Sequence, residues 1–377
     1  MKKWIWTFVI LVVVGVFSGR AWWLYEHRET EKNVVKVGVL SFPSGQYAKM
    51  GQELNNGIIL AVEEINASSD YKGKKIKLIM EDGKGVAKEA VNAFHKLKFN
   101  QIDALIATGD NQVPPVAPLI IQNKIPTILT IMGNSEFAKS NTPKFMYQNY
   151  FSVLKGGEKL GEYLISAFWK KNFSVLVMNV PYSLECFEGF RNIYTQQGGV
   201  ITTVEKFREH ETDTRSLVEK IIAQKPDGIL VVGYGQAYIS LLNRLKEVRY
   251  NGLLVTDQGI TNPKTVENIK DIKDFIFFAQ STQMGRNEQV ERAYQNRFNE
   301  KMSNFAMDGY SSVMILGEAI KNSDGSSEGI NTALSKIKKI DTIRGNLILD
   351  EQGMGSLPIF IGRMKADGTY DILEERE

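Results

Sequence analysis

From residue 34 onward, short runs dense in Val, Ile and Leu alternate with stretches whose apolar residues recur at helical spacing. That alternation predicts a parallel sheet covered by helices, an α/β fold class. The predicted strands are 35–40, 76–81, 104–108, 127–131, 175–179, 228–232, 253–256 and 276–280, each with the apolar density of a strand buried on both faces. The amphipathic stretches 51–65, 87–98, 156–170, 184–197, 213–224 and 237–248 supply the crossovers that parallel strands require. Their order reads as two successive doubly wound, Rossmann-like units that break near 145–151. A helix-rich continuation, 287–322, and a final strand pair, 345–349 and 359–364, follow. The turn Asp350-Glu351-Gln352-Gly353 lies between those last strands, and the Ser, Asp and Gly content of 322–329 reads as a surface loop.

The first residues break this pattern. Lys2 and Lys3 precede an apolar run, 4–18, interrupted only by Thr7 and Gly15, which is the layout of a charged n-region and an h-region. Gly19-Arg20-Ala21 puts small residues at the two positions that matter for signal cleavage, whereas Trp22, Trp23 and Tyr25 suit the belt of an uncleaved anchor. Residues 4–25 are long enough to cross a bilayer as an N-terminal apolar helix if Arg20 snorkels to the interface. Signal peptide and signal anchor both remain open. In either case the lysines before the run and the acids within 26–31 orient the remainder to the outside.

Composition narrows the class. A chain of 377 residues holds two to three domains of about 150 residues, and 24% charged with 43% hydrophobic residues is ordinary for a globular protein. One cysteine, Cys186, and three histidines leave no disulfide pair and no credible zinc cluster. The net charge of +3 comes from Lys2, Lys3 and Arg20; beyond them basic and acidic residues balance at 43 each. That balance gives no footprint for a phosphate backbone and argues against nucleic acid as the main partner.

Two α/β lobes imply a cleft, and ligands in such sheets bind beyond the carboxyl ends of the strands. After residue 40 comes a Gly/Ser/Pro loop, 41–51, whose free N–H groups suit a polar ligand as well as they suit an ordinary strand-to-helix turn. Thr108-Gly109-Asp110-Asn111-Gln112 follows the third strand, with Asp110 and Asn111 as helix caps or ligand contacts; a carboxylate at Asp110 would repel an anionic ligand. Gly233-Tyr234-Gly235-Gln236-Ala237-Tyr238 matches only the first half of a dinucleotide fingerprint, so it reads as a tight turn that offers the Tyr234 ring and hydroxyl. Thr256-Asp257-Gln258-Gly259 places a carboxylate and an amide in the same crevice. The sequence has no P-loop and no H-E-x-x-H, and no histidine follows a predicted strand, so the chain reads as a binding protein and not an enzyme. His95 reads as a satisfied helix residue and Cys186 as a small buried hydrophobe.

Lys36-Val37-Gly38-Val39-Leu40, then Ser44-Gly45, Tyr47 and the helix ending Ala61-Val62-Glu63-Glu64-Ile65-Asn66, resemble the opening of a known family. It is the type I periplasmic binding proteins of the branched-chain amino-acid (leucine/isoleucine/valine) ABC-transporter substrate-binding class. Glu81-Asp82, Val116-Ala117-Pro118, Ile125-Pro126, Glu188-Gly189-Phe190, Phe298 with Tyr310, Ile343-Arg344-Gly345, Leu349-Asp350 and Gly353 extend the resemblance to about residue 373.

The resemblance implies two lobes joined by a three-crossover hinge that close on a small ligand, with no cofactor. The crossovers would fall near 148–151, 279–281 and 350–355. Residues 1–25 would be the signal or anchor and 26–33 a linker. One lobe would comprise 34–149 with 280–350, the other 150–279 with 351–377. The location would be periplasmic or cell-surface. The partner would be the membrane permease of an ABC importer or, alternatively, a sensor in a receptor or regulatory complex.

Carried over by position, the family's cleft contacts fall on Met50, Gly109, Asp110, Ile131, Met132, Gly133, Cys186, Tyr234, Gln258 and Phe305. Asp110 stands where a serine would meet an α-carboxylate, and Gly133 where a threonine would. Gln258 replaces the acid that would pair with an α-ammonium, although Asp257 is adjacent. A carboxylate buried beside Asp110 would cost several kcal/mol, so the ligand expected is neutral, polar or cationic and not a standard branched-chain amino acid.

Overall fold

The computed structural model describes residues 33–135, 137, 144–169, 171–269, 271–280 and 287–376. The signal or anchor segment, all of the linker but Asn33, and Ser281 of the second expected crossover lie outside the described residues. Among those described, no helix is long and apolar enough to cross a membrane.

In the first lobe, β1 (Val34–Ser41), β2 (Lys75–Asp82), β3 (Ala104–Thr108), β4 (Thr127–Thr130) and β5 (Met146–Asn149) form a parallel sheet of order β2-β1-β3-β4-β5. The helices α1 (Ala48–Ala67), α2 (Ala87–Phe99) and α3 (Val113–Asn123) make the crossovers. β3 and β4 are buried at every position, because helices cover both faces of the sheet's centre. α3 starts as its sequence dictates, with Pro114 and Pro115 in the first turn, where a missing N–H costs nothing.

The second lobe holds β6 (Asn172–Met178), β7 (Val200–Phe207), β8 (Gly228–Val232), β9 (Leu253–Thr256), β10 (Ile276–Gln280), β14 (Ile359–Met364) and β15 (Tyr370–Arg376). Their order is β15-β14-β10-β9-β8-β6-β7, parallel except for the last two strands in sequence, which add antiparallel beside β10. Here α4 (Val153–Phe168), α5 (Pro181–Gln196), α6 (Thr214–Ala223) and α7 (Gly235–Glu247) flank the sheet, followed by the short α8 (Pro263–Asn268). The edge strand β7 escapes a search for apolar runs because its residues alternate between exposed and half-buried.

After β10 the chain returns to the first lobe. α9 (Glu288–Phe298), α10 (Asn304–Lys321) and α11 (Ser327–Lys336) lead to a small antiparallel sheet of β11 (Lys339–Thr342), β12 (Gly345–Leu349) and β13 (Gly355–Ser356). The Arg297 guanidinium donates to both carboxylate oxygens of Glu63 on α1, at 3.1 Å each. The lobes are thus two doubly wound units joined by three crossovers, after β5, after β10 and between β13 and β14.

The first and third crossovers lie side by side. The Gln148 backbone N–H donates to Gly353 O at 2.8 Å, and the Gly355 N–H donates to Gln148 Oε1 at 2.9 Å. A Cβ on Gly355 would stand 2.4 Å from the carbonyl oxygens of both Gln148 and Tyr150, so the approach admits only glycine. Residues 355–356 pair with β12 beside this contact, and the chain joins the second sheet only at Ile359.

Candidate functional site

The carboxyl ends of β1, β3 and β4 face those of β6, β8 and β9 across the cleft, and the loops that follow them supply its walls. From the first lobe come Phe42 and Tyr47 after β1, Asp110 after β3, and Gly133, Asn134 and Ser135 after β4. From the second come Tyr182 and Glu185 at the start of α5, Tyr234 after β8, and Asp257 and Gln258 after β9.

Aromatic rings bridge the lobes. The Tyr234 ring meets Tyr47 edge-on at 6.1 Å and Tyr182 edge-on at 6.1 Å, and Phe42 extends the row at 6.3 Å from Tyr47. Polar contacts join them: the Ser135 N–H donates to Glu185 Oε2 at 2.9 Å, Gln258 Nε2 to the Tyr150 hydroxyl at 2.7 Å, and Gln46 Nε2 to Glu209 Oε1 at 3.1 Å. Tyr150 itself belongs to the first crossover, so Gln258 ties the second lobe to the hinge.

Two carboxylates face this wall. Burial raises Asp110 to about 7 against the pull of Asn134, which donates to Asp110 Oδ1 through its side-chain amide, while nearby Glu185 pushes it further up. Burial likewise raises Asp257, which is 0% exposed, to about 7, opposed by the Tyr182 hydroxyl and the N–H groups of Gly259 and Gly233. Asp257 caps the turn Gln258–Thr261 with Oδ1, while its Oδ2 is buried with no hydrogen-bond partner. Burial, with Asp110, Glu209 and Asp257 in range, drives the Tyr234 hydroxyl well above the usual phenol range, so the phenol stays protonated.

The structure thus brings Gly109, Asp110, Gly133, Tyr234, Asp257 and Gln258 to one cleft. Ile131 directly follows β4 at φ 49°, a conformation that β-branched residues avoid, and the chain turns there. Met132 consequently buries its side chain in the first-lobe core and not in the cleft, correcting the expectation for that position. Asn111 is exposed, Met50 is half-buried on the first turn of α1, and Phe305 is half-buried near the start of α10. Cys186 is buried in the core, as its reading as a small hydrophobe expects.

The sequence reading passed over Tyr150, Tyr182, Glu185 and Asn134. Tyr182 and Glu185 directly follow the end of β6, so the strand-end rule points to their segment without saying which side chain turns inward. A separate hollow of about 500 Å³, lined by Val218, Ile222, Val248 and Tyr250 among others, lies beside the start of β9, away from these strand ends. Among the described residues no cluster of metal-ligating side chains forms.

Comparison with known proteins agrees with this architecture. The family described as periplasmic binding protein matches residues 34–369. The Leu/Ile/Val-binding protein BraC3 of Rhizobium johnstonii is 21% identical over 326 residues, covering 85% of this chain and 88% of its own. Among solved structures, the branched-chain amino acid transporter substrate binding protein LivJ from Streptococcus pneumoniae, in complex with isoleucine, superposes with a TM-score of 0.80 at 21% identity, over 91% of this chain and 99% of its own. A solute binding protein of an ABC transporter from R. palustris, in complex with benzoate, gives 0.79 at 18% identity, over 91% and 96%.

Proposed function

The chain belongs to the periplasmic binding protein family, whose members bind solutes and do not catalyse, and on that premise we propose that it captures a small ligand between its lobes outside the cytoplasm and delivers it to the membrane permease of an ABC importer. The residues 4–25 serve in this reading as the export signal or as a membrane anchor. The observation that carries it is the row of tyrosines shared between the lobes, Tyr47 against Tyr234, set beside half-buried Asp110 and buried Asp257 at the strand ends. Ligand binding favours the closed arrangement by its differential affinity for the two states.

The ligand is neutral, polar or cationic. Isoleucine and benzoate, the ligands of the two solved relatives above, both carry a carboxylate, and by the family resemblance Asp110 stands where such a group would be met, so that its ionised form would repel it.

The test is a thermal-shift screen of the full chain against amino acids, amides, polyamines, sugars and small aromatic acids. A ligand at about 100 times its Kd adds about 2.7 kcal/mol, and Tyr234→Ala is expected to abolish the shift. An empty screen, together with native mass spectra of the host-purified protein that show no retained small molecule, overturns the reading.

A further inference from the structure

Resting on the solute-binding reading above, we propose that the cleft takes an organic cation with ammonium groups at both ends and no carboxylate, of the diamine and polyamine class, one end at Asp110 of the first lobe and the other at Asp257 of the second.

Four carboxylates, Asp110, Glu185, Asp257 and Glu209, border the tyrosine row. Among the described residues none of them forms a salt bridge with a lysine or arginine. The groups that act most strongly on Asp110 are Asn134, Gly133 and Glu185; those that act most strongly on Asp257 are Tyr182, Gly259, Gly233 and its own backbone. None is a cation. Among the described residues the two acids therefore enter the closed cleft without a counter-charge, an arrangement that burial penalises unless a cation supplies one.

The oxygens left over point the same way. Glu185 spends Oε2 on the Ser135 N–H and keeps Oε1 buried without a partner; Asp257 spends Oδ1 on its cap and keeps Oδ2 buried without a partner. An ammonium brings three donors and no acceptor, which is the complement of this set. The faces of Tyr47, Tyr182 and Tyr234 offer negative π surface to a cation and apolar surface to the methylenes between its ends.

Two ends are needed because each acid is anchored within its own lobe, Asp110 by Asn134 and Asp257 by the Gly259 N–H. Tyr234 lies in the field of both. A ligand that reaches both acids gains the second contact only when the lobes close, which makes closure depend on it.

Isothermal titration of the full chain with putrescine and spermidine tests this, with butylamine, isoleucine and benzoate as comparisons. Saturable binding of a polyamine is expected, with butylamine at least tenfold weaker and no heat from isoleucine or benzoate. Asp110→Asn and Asp257→Asn each lower the affinity tenfold or more, with melting curves to confirm that the variants fold.

The wild-type protein provides a readout independent of the variants. Asp110, flanked by Glu185, Tyr150 and Tyr234, and Asp257, flanked by Tyr182, Tyr238, Cys186 and Tyr234, titrate near neutrality. Affinity should fall about tenfold per carboxylate between about pH 8 and about pH 6 as each takes up a proton. No heat from putrescine or spermidine overturns the proposal, as does butylamine binding equally well. If the amines fail while the broader screen finds another ligand, the solute-binding reading stands and only the ligand class falls; if that screen is empty too, both fall.

Discussion

Replacing Arg344 by methionine tests how far the first lobe depends on one buried ion pair behind the hinge. Arg344 Nε stands 3.1 Å from Asp308 Oδ1, with side chains only 3% and 2% exposed. The contact is one of charges, off the line of a straight hydrogen bond, while Arg344 Nη1 donates to Asn304 Oδ1 at 3.0 Å. Asn149, the last residue of β5, donates to the Asp308 carbonyl at 3.0 Å, so the pair sits against the first crossover. Burial lifts Asp308 to about 6 even with Arg344 pulling it down. Removing one member of a buried pair costs about 3–5 kcal/mol, and at about 2–4 °C per kcal/mol the melting temperature should fall by about 6–20 °C.

Calorimetry of the full chain near neutral pH reads this loss, and acidification supplies the second arm. With the guanidinium gone, the folded-state pKa of Asp308 rises further above its unfolded value of about 3.9, so the folded state binds more protons than the unfolded one. Stability from this group is full below the unfolded value and is lost as pH rises through the folded one. The variant should therefore recover about 1.4 kcal/mol per pH unit as pH falls toward about 5.5. Adding Asp308→Leu to Arg344→Met removes both charges and should restore most of the loss. A single variant that melts within about 2 °C of the wild type, or a deficit that does not shrink on acidification, refutes the argument.

Other positions offer sharper geometric tests. Gly355→Ala forces a Cβ to 2.4 Å from two backbone carbonyl oxygens and should cost about 1–3 kcal/mol; an unchanged urea midpoint would contradict the close packing of the crossovers. Gly133→Thr would place its Cβ 2.4 Å from Val153 Cγ1 and 3.4 Å from the Tyr182 ring, so it should hold the lobes apart, and small-angle scattering would show a larger radius of gyration. Scattering identical to wild type would mean that the site absorbs the side chain. Gln258→Ala removes the 2.7 Å bond to Tyr150 and should weaken the closed state by about 0.5–1.5 kcal/mol with little change in melting temperature; fluorescence transfer between lobes that shows no shift in population would rule out a role in closure.

Much of the fold was legible because helix and strand periods are local properties of the chain. The parallel strands that sit inside the sheets, such as β3, β8 and β10, appear at the predicted positions because both of their faces must be apolar. Strands β7 and β15, at the edges of the second sheet, were not predicted, since an edge strand shares its polar residues with loops. β5 was also missed: its Met146-Tyr147-Gln148-Asn149 is buried, but it is too short and too polar to stand out.

The chain by itself determined the α/β class and the two doubly wound units, and it pointed to the strand ends as the segments in which to look for a site. Asp110, Tyr234 and Asp257 were singled out because strand ends in such sheets face a cleft wherever they occur. Only the tertiary structure decided which neighbouring side chains turn inward. Ile131 takes a left-handed conformation that sends Met132 into the core and leaves Gly133 against Val153 and Tyr182 of the second lobe. Tyr47, Tyr150, Tyr182 and Tyr234 come from segments far apart in sequence and converge through lobe closure, as Asp308 and Arg344 do through burial. Periodicity records how a residue sits on its own element; convergence depends on how the elements pack, and no local pattern encodes that.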